Sequence, residues 1–183
     1  LAPGGLMKTN DPAHTDARPA NQPAVRPSKT PADSAAVGTR TVMNGDINGA
    51  TRLFGGRLME WIDSIAGVAA RRHCGQQVTT ARVDTLDFKH PALLNDIVVL
   101  RARVTYVGHT SLEVRVDSYQ ENIATGEHTV INTAYLTEVC IDDDGTPVPV
   151  PYGLKLESEA DRAEYDRALF RREIRKARAE SGV

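Results

Sequence analysis

Asn48, Gly55, Gly56 and Asp63 stand close together in the chain and between them hold the parts for chemistry at a carbonyl carbon. At helical spacing Asp63 has Met59, Ala66, Gly67 and Ala70 as neighbours, so its carboxylate falls on a face suited to packing. A carboxylate goes there when it is paired, hydrogen-bonded or working. A working one takes a proton from water or attacks the carbonyl itself, and burial raises its pKa. Gly55-Gly56 opens the helical stretch, where backbone N–H groups with the helix dipole behind them can receive a developing oxyanion, unobstructed by any Cβ. Gly56 is the leading donor and Gly55 the second. The Asn48 amide can orient a water or the carbonyl.

Each of these residues also has a plain structural reading. Asp63 would then pair with a neighbouring arginine, the glycines would let helix and sheet approach closely, and Asn48 would shape a turn. His73 ends a helix beside two arginines and His90 precedes a proline corner, so both are read as structural. Cys74 has no positioned base beside it. Ser111 follows Gly108-His109-Thr110, which is no nucleophile elbow. The two cysteines, Cys74 and Cys140, have no His or Cys at ligand spacing, so no metal site is expected, and the reducing compartment they fit argues against a disulfide.

The elements that must position these residues are legible from periodicity. From Phe54 the apolar residues Phe54, Leu58, Trp61, Ile62, Ile65, Ala66 and Ala69 form a helical stripe, and the helix ends at Cys74-Gly75. It is too long and too apolar to stand alone. A short β entry at Thr39–Met43 precedes it. Four long strands follow, at Gln77–Lys89, Asp96–His109, Ser111–Gln120 and His128–Ile141, with clear period-2 alternation in the middle two. One helix cannot cover both faces of such a sheet. The sequence therefore predicts an antiparallel sheet curled around the helix, with its other face or an edge buried by a partner.

Residues 1–37 hold six of the ten prolines and almost no large apolar side chains, and are read as a disordered leader. Residues 38–152 form the domain. Residues 153–183 carry an extended Pro147–Pro151 strap onward into a charged helix over Glu157–Glu180. That helix is read as solvated or lightly docked, anchored by Tyr165, Leu169, Phe170 and Ile174. The net charge of −2 argues against a nucleic-acid or anionic-membrane binder. No run approaches a membrane span, and no secretory leader is evident, so a cytoplasmic protein is expected.

Five stretches resemble one family. Met43…Asp46-Ile47-Asn48, continued by Phe54-Gly55-Gly56-x-Leu58-Met59-x-Trp61-Ile62-Asp63, is similar to the signature of hotdog-fold acyl-CoA thioesterases, the cytosolic acyl-CoA hydrolase branch. Ala70–Cys74, Val83-Asp84-x-x-Asp87-Phe88-x-His90-Pro91, Val107–Val114 and the Pro147–Pro151 strap agree in order, so the likeness spans residues 40–175. The resemblance implies an α+β hotdog fold and hydrolysis of acyl-CoA to fatty acid and CoA, with no cofactor beyond the coenzyme A of the substrate. It implies a hotdog dimer, and a trimer of dimers, in which Asn48 of one subunit works with Asp63 of the other. Gly108, Thr110, Ser111, Arg71 and Arg72 become candidates for coenzyme A contacts, as does Arg171-Arg172. A non-catalytic acyl-CoA binder is the alternative, and a hydratase or dehydratase of the same fold a lesser one, since no His lies between Met43 and Arg72. Two positions depart from the family: Thr51 where it carries glycine, and Asn44 where it carries proline.

Overall fold

The computed structural model describes residues 26–181. Its centre is a helix, α2 (Gly55–Cys74). Five strands curl around it as an antiparallel half-barrel: β2 (Ala36–Thr41), β3 (Gln77–Phe88), β4 (Ile97–Val107), β5 (Ser111–Glu121) and β6 (His128–Ile141). Their order is β2-β4-β5-β6-β3, so β3, the strand that leaves α2, lies at the far edge beside the last long strand. A two-residue parallel pair joins β1 (Ser28–Lys29) to β7 (Gly153–Leu154), and a one-turn helix, α1 (Pro31–Ser34), precedes β2.

The helical stripe explains the wrapping. Leu58, Ile62, Ala66 and Ala69 are fully buried against inward residues of the strands, among them Val98, Leu100, Val104, Val114, Val116 and Leu136. Burying a side chain such as Ile62 contributes roughly 1.5–3 kcal/mol. The helix stops at Gly75, whose φ of 68° and N–H bond to the Arg71 carbonyl (2.7 Å) form a left-handed cap.

Two expectations need correction. Residues 26–37, assigned to the disordered leader, are ordered: Thr30 caps α1 through its hydroxyl and Asp33 returns the bond to the Thr30 amide, a reciprocal capping box. The rest of that leader, residues 1–25, lies outside the described residues. The C-terminal helix, α3 (Glu159–Ser181), is firmly docked. It crosses the outer face of the sheet on a charged stripe, with Arg171 on Glu113 (2.7 Å), Arg115 on Glu164 (2.7 Å) and Arg175 on Asp84. Glu164 and Ala168 are buried, whereas Phe170, expected as an anchor, is 68% exposed. The outer sheet face offers Glu113, Arg115 and Asp117 in place of apolar residues, so charge selects which side of α3 faces inward.

Candidate active site

The loop before α2 is fixed at both ends. Ile47 bridges Leu53, the Phe54 amide bonds the Asp46 carbonyl (2.8 Å), and Arg57 reaches back to Asp46 (3.1 Å). Inside it, the Asn48 side-chain oxygen accepts from the Ala50 and Arg52 amides (2.9 and 3.3 Å), closing an Asx turn. The structural reading of Asn48 therefore holds for its oxygen. Its Nδ2 makes no hydrogen bond among the described residues. Thr51, in the same turn, takes φ 58°, a left-handed conformation that a β-branched side chain adopts only under strain.

Asn48 and Gly55 line a cavity of about 450 Å³ that also meets Leu58, Phe88 and Ile131, with Arg52, Lys89 and His90 at its wall. Gly55 sits at the first helical position, where its N–H has no intrahelical acceptor. A Cβ on Gly55 would meet the Phe88 ring at 3.1 Å, and one on Gly56 would meet the Phe54 ring at 2.6 Å. The glycines thus serve close packing as well as leaving amides free. Gly55 faces this cavity, while Gly56 lies behind Phe54 and is not part of the lining.

Asp63 lies two helical turns further on, roughly 12 Å along the axis from Gly55 at 1.5 Å per residue. It lines a different cavity, of about 520 Å³, with Gly67, Arg71, Thr80 and Glu138. Within one chain, then, Asn48 and Asp63 do not share a cavity. Asp63 is also exposed, contrary to the packed position its neighbours suggested. Met59 and Val68 flank it on a strip of α2 that is left open among the described residues. It forms no ion pair among the described residues; its Oδ1 accepts the Thr80 hydroxyl at 2.6 Å.

The carboxylate that burial does perturb is Glu138. It is 1% exposed, on the inward face of β6 between Leu136 and Cys140, and directly opposite Thr80 across the β3–β6 ladder. Desolvation pushes it up to about 7, against the lowering effect of the Thr80 hydroxyl, with the negative charge of Asp63 adding to the rise. The Thr80 hydroxyl lies 3.0 Å from Glu138 Oε1, and Oε2 is buried with no hydrogen-bond partner.

Of the other candidates, Arg71 joins the Asp63 cavity, whereas the Arg72 guanidinium turns away to the Ala35 carbonyl (2.5 Å). Gly108, Thr110 and Ser111 line neither cavity. They close the β4–β5 turn, with Gly108 N–H on the Ser111 carbonyl (2.7 Å) and the Thr110 carbonyl taken by the Cys140 amide (2.9 Å). Arg171 is committed to Glu113 and Glu164, and Arg172 lines an outer groove with Ser111. His73 is structural as read: buried, with Nδ1 3.1 Å from the Ser34 hydroxyl and its pKa lowered by desolvation. His90 is at the cavity wall, which its proline corner did not suggest. Thr80 and Glu138 escaped the sequence reading altogether. Glu138 left one signal, since the alternation Ala134, Leu136, Cys140 assigns it to the inward face.

Among the described residues no group of three or more His, Cys, Asp or Glu is placed to hold a metal ion, and no helix is long and apolar enough to cross a membrane.

Comparison with known proteins places this arrangement. Residues 51–127 match the Thioesterase superfamily. The uncharacterized acyl-CoA thioester hydrolase YkhA of Bacillus subtilis is 44% identical over 119 residues, 65% of this chain and 69% of its own. An acyl-CoA hydrolase from Staphylococcus aureus, solved with butyryl coenzyme A and coenzyme A, is 38% identical; it superposes with a TM-score of 0.80 over 85% of this chain and 94% of its own. Structures of its variants replace one asparagine, one aspartate and one threonine by alanine. A hexameric acyl-CoA thioesterase is 37% identical, with a TM-score of 0.79 over 84% of this chain and 97% of its own. With this fold, these identities and this coverage, the chain belongs to the hotdog-fold thioesterase superfamily.

Proposed function

We propose that this protein hydrolyses acyl-CoA thioesters to a free acid and coenzyme A. The observation that carries this reading is Asp63: a carboxylate on the central helix, held by the Thr80 hydroxyl, at the wall of an open cavity. A second observation supports it. In the S. aureus hydrolase the three residues replaced by alanine lie 15 and 17 positions apart, asparagine to aspartate to threonine. Asn48, Asp63 and Thr80 stand at the same spacing here.

Asp63 acts as general base on a water, or as nucleophile on the thioester carbonyl. The carbonyl oxygen, as it becomes negative, is received by the N–H groups at the start of α2, with Gly55 nearer the cavity than Gly56. One such donor is worth about 10²–10³ in rate. Asn48 Nδ2 orients the water or the carbonyl. Because the two cavities are separate within one chain, Asn48 and Asp63 meet only across a dimer, Asn48 of one subunit against Asp63 of its partner. The open strip around Met59, Asp63 and Val68 is then the surface that the second subunit covers. Hexameric relatives support a trimer of such dimers. Arg52, Lys89 and His90 meet the phosphates of coenzyme A, in place of Arg72, Gly108, Thr110 and Ser111. The chemistry needs no metal or redox cofactor, and the protein acts in the cytoplasm.

The test is release of free thiol from acetyl-, butyryl- and palmitoyl-CoA, read with DTNB. Turnover on at least one, abolished by Asp63→Ala, is the expected result. Binding of acyl-CoA with no thiol release would make the protein a sensor, and turnover that survives Asp63→Ala would remove the mechanism.

A further inference from the structure

Thr80 has one hydroxyl proton and two carboxyl neighbours, Asp63 Oδ1 at 2.6 Å and Glu138 Oε1 at 3.0 Å. If both were ionised, two acceptors would compete for one proton. We propose that Glu138 is a positioning residue for Asp63: as the neutral acid it donates to the Thr80 oxygen, so that Thr80 commits its only proton to Asp63. The proposal rests on Asp63 being the working carboxylate, as argued above, and adds to it a device that sets the pH range in which that carboxylate is held.

Three observations carry it. Glu138 is a cross-strand partner of Thr80, so the ladder itself holds the two side chains on the same inward face. Its surroundings favour a charge only weakly: desolvation outweighs the lowering effects of the Thr80 hydroxyl and the Arg71 charge. Asp63, Arg71 and Cys74 face it from α2 and Cys140 from its own strand, and the residue beside it on β5 is Leu112. Arg71, the one cation lining the cavity, makes no ion pair with it among the described residues. Finally, Oε2 is buried without a partner, a position tolerable for a neutral carboxyl and costly for a carboxylate. Desolvation keeps Glu138 protonated up to about pH 7.

The consequence is directional. Below neutrality the chain of donors runs from Glu138 through Thr80 to Asp63. As pH rises through about 7, Glu138 releases its proton to solvent and becomes an acceptor, and the Thr80 hydroxyl is divided between two anions. Asp63 then loses the bond that orients it, so turnover falls on the alkaline side.

Two measurements test this. In protein carrying carbon-13 at the Asp and Glu side-chain carboxyls, the Asp63 resonance, identified by its loss in Asp63→Ala, should show an inflection near pH 7 that disappears in Glu138→Gln and shrinks in Thr80→Val. In the thiol-release assay the parent kcat should fall about tenfold between pH 6 and 8.5, the lower end of what one hydrogen bond to a charged group is worth, since the hydroxyl is shared and not removed. Glu138→Gln, whose amide donates at every pH, should vary by less than about twofold over that range, normalised to its own value at pH 6. Glu138 titrating in the ordinary carboxylate range, an Asp63 resonance indifferent to Glu138→Gln, or an unchanged alkaline fall in that variant would each overturn the proposal. The resonance arm uses no substrate. Absence of thiol release with the inflection present would therefore sink the proposed activity and leave the Glu138–Thr80–Asp63 chain standing.

Discussion

Arg171 of α3 grips Glu113 of β5 with two nitrogens, Nη2 to Oε1 at 2.7 Å and Nε to Oε2 at 3.3 Å, while its guanidinium lies 3.6 Å from the centre of the Tyr135 ring. Glu113 is 1% exposed, and this fork, together with the Thr105 hydroxyl on Oε1 (2.8 Å) and Arg175 on Oε2, makes its burial tolerable. Arg171→Ala is expected to cost about 3 kcal/mol, the lower end of the usual range for orphaning a buried charge, because Arg175 also touches Glu113 (3.1 Å). The double change Arg171→Met with Glu113→Leu should recover most of it. Denaturant melts of the three proteins decide the matter; equal losses in the single and double variants would show that the charge itself is not at issue.

Glu164 gives α3 an acid limit. Burial pushes its pKa up, but Arg167 and Arg115 outweigh that and hold it down to about 2, against an ordinary value of 4.5. For a depressed carboxylate the stabilisation is complete above the unfolded pKa and is lost as pH falls through the folded one. The expected window is therefore pH 4.5 down to 2, with a loss of about 2–3 kcal/mol. Amide exchange over Glu159–Ser181 should accelerate across that window in the parent. In Glu164→Gln that step should be missing.

Thr51 is strained: its β-branched side chain sits on a backbone with φ 58°. A left-handed β-branched residue costs roughly 1–2 kcal/mol, and glycine returns about 0.5–1 of that as unfolded-state entropy. Thr51→Gly should thus raise stability by about 0.5–1 kcal/mol, seen as a higher Tm. An unmoved or lower Tm would mean that the Thr51 hydroxyl bond to the Ala50 carbonyl (2.7 Å) compensates the strain.

Thr80→Val keeps shape on β3 and deletes the hydroxyl. A hydrogen bond to a charged group is worth about 1.5–3 kcal/mol. If Asp63 depends on it in the transition state, kcat should fall about 10- to 150-fold with KM nearly constant. A change confined to KM would reassign Thr80 to substrate binding.

The architecture was legible because its signals are local and regular. The stripe from Phe54 to Ala69, the alternation in Val98–Val104 and Leu112–Val116, and the stop at Gly75 each declare an element without reference to the rest. What stayed hidden depends on distance in sequence. The Thr80–Glu138 pair is made by a ladder between residues 58 positions apart, and neither side chain is unusual alone. The exposure of Asp63 is hidden for a related reason: apolar neighbours say that a face is to be covered, not which chain covers it. The anchoring of α3 is hidden because its inward stripe, Glu164, Ala168, Arg171 and Arg175, looks like a solvated face until the charges on the outer side of the sheet are known. Ordering of Ser28–Lys29 depended on Gly153–Leu154, at the opposite end of the domain.

The strand order has a consequence for how the chain is made. β3 emerges directly after the central helix, yet its one partner among the described residues, β6, is the last of the five strands to be synthesised. Through the whole interval between them a twelve-residue strand waits with both edges bare. Loop closure over that span is slow, and unpaired edges recruit other chains. A ribosome stalled before residue 128 would hold a helix already carrying its aspartate beside a strand with nothing to zip to, and chaperone occupancy should peak there.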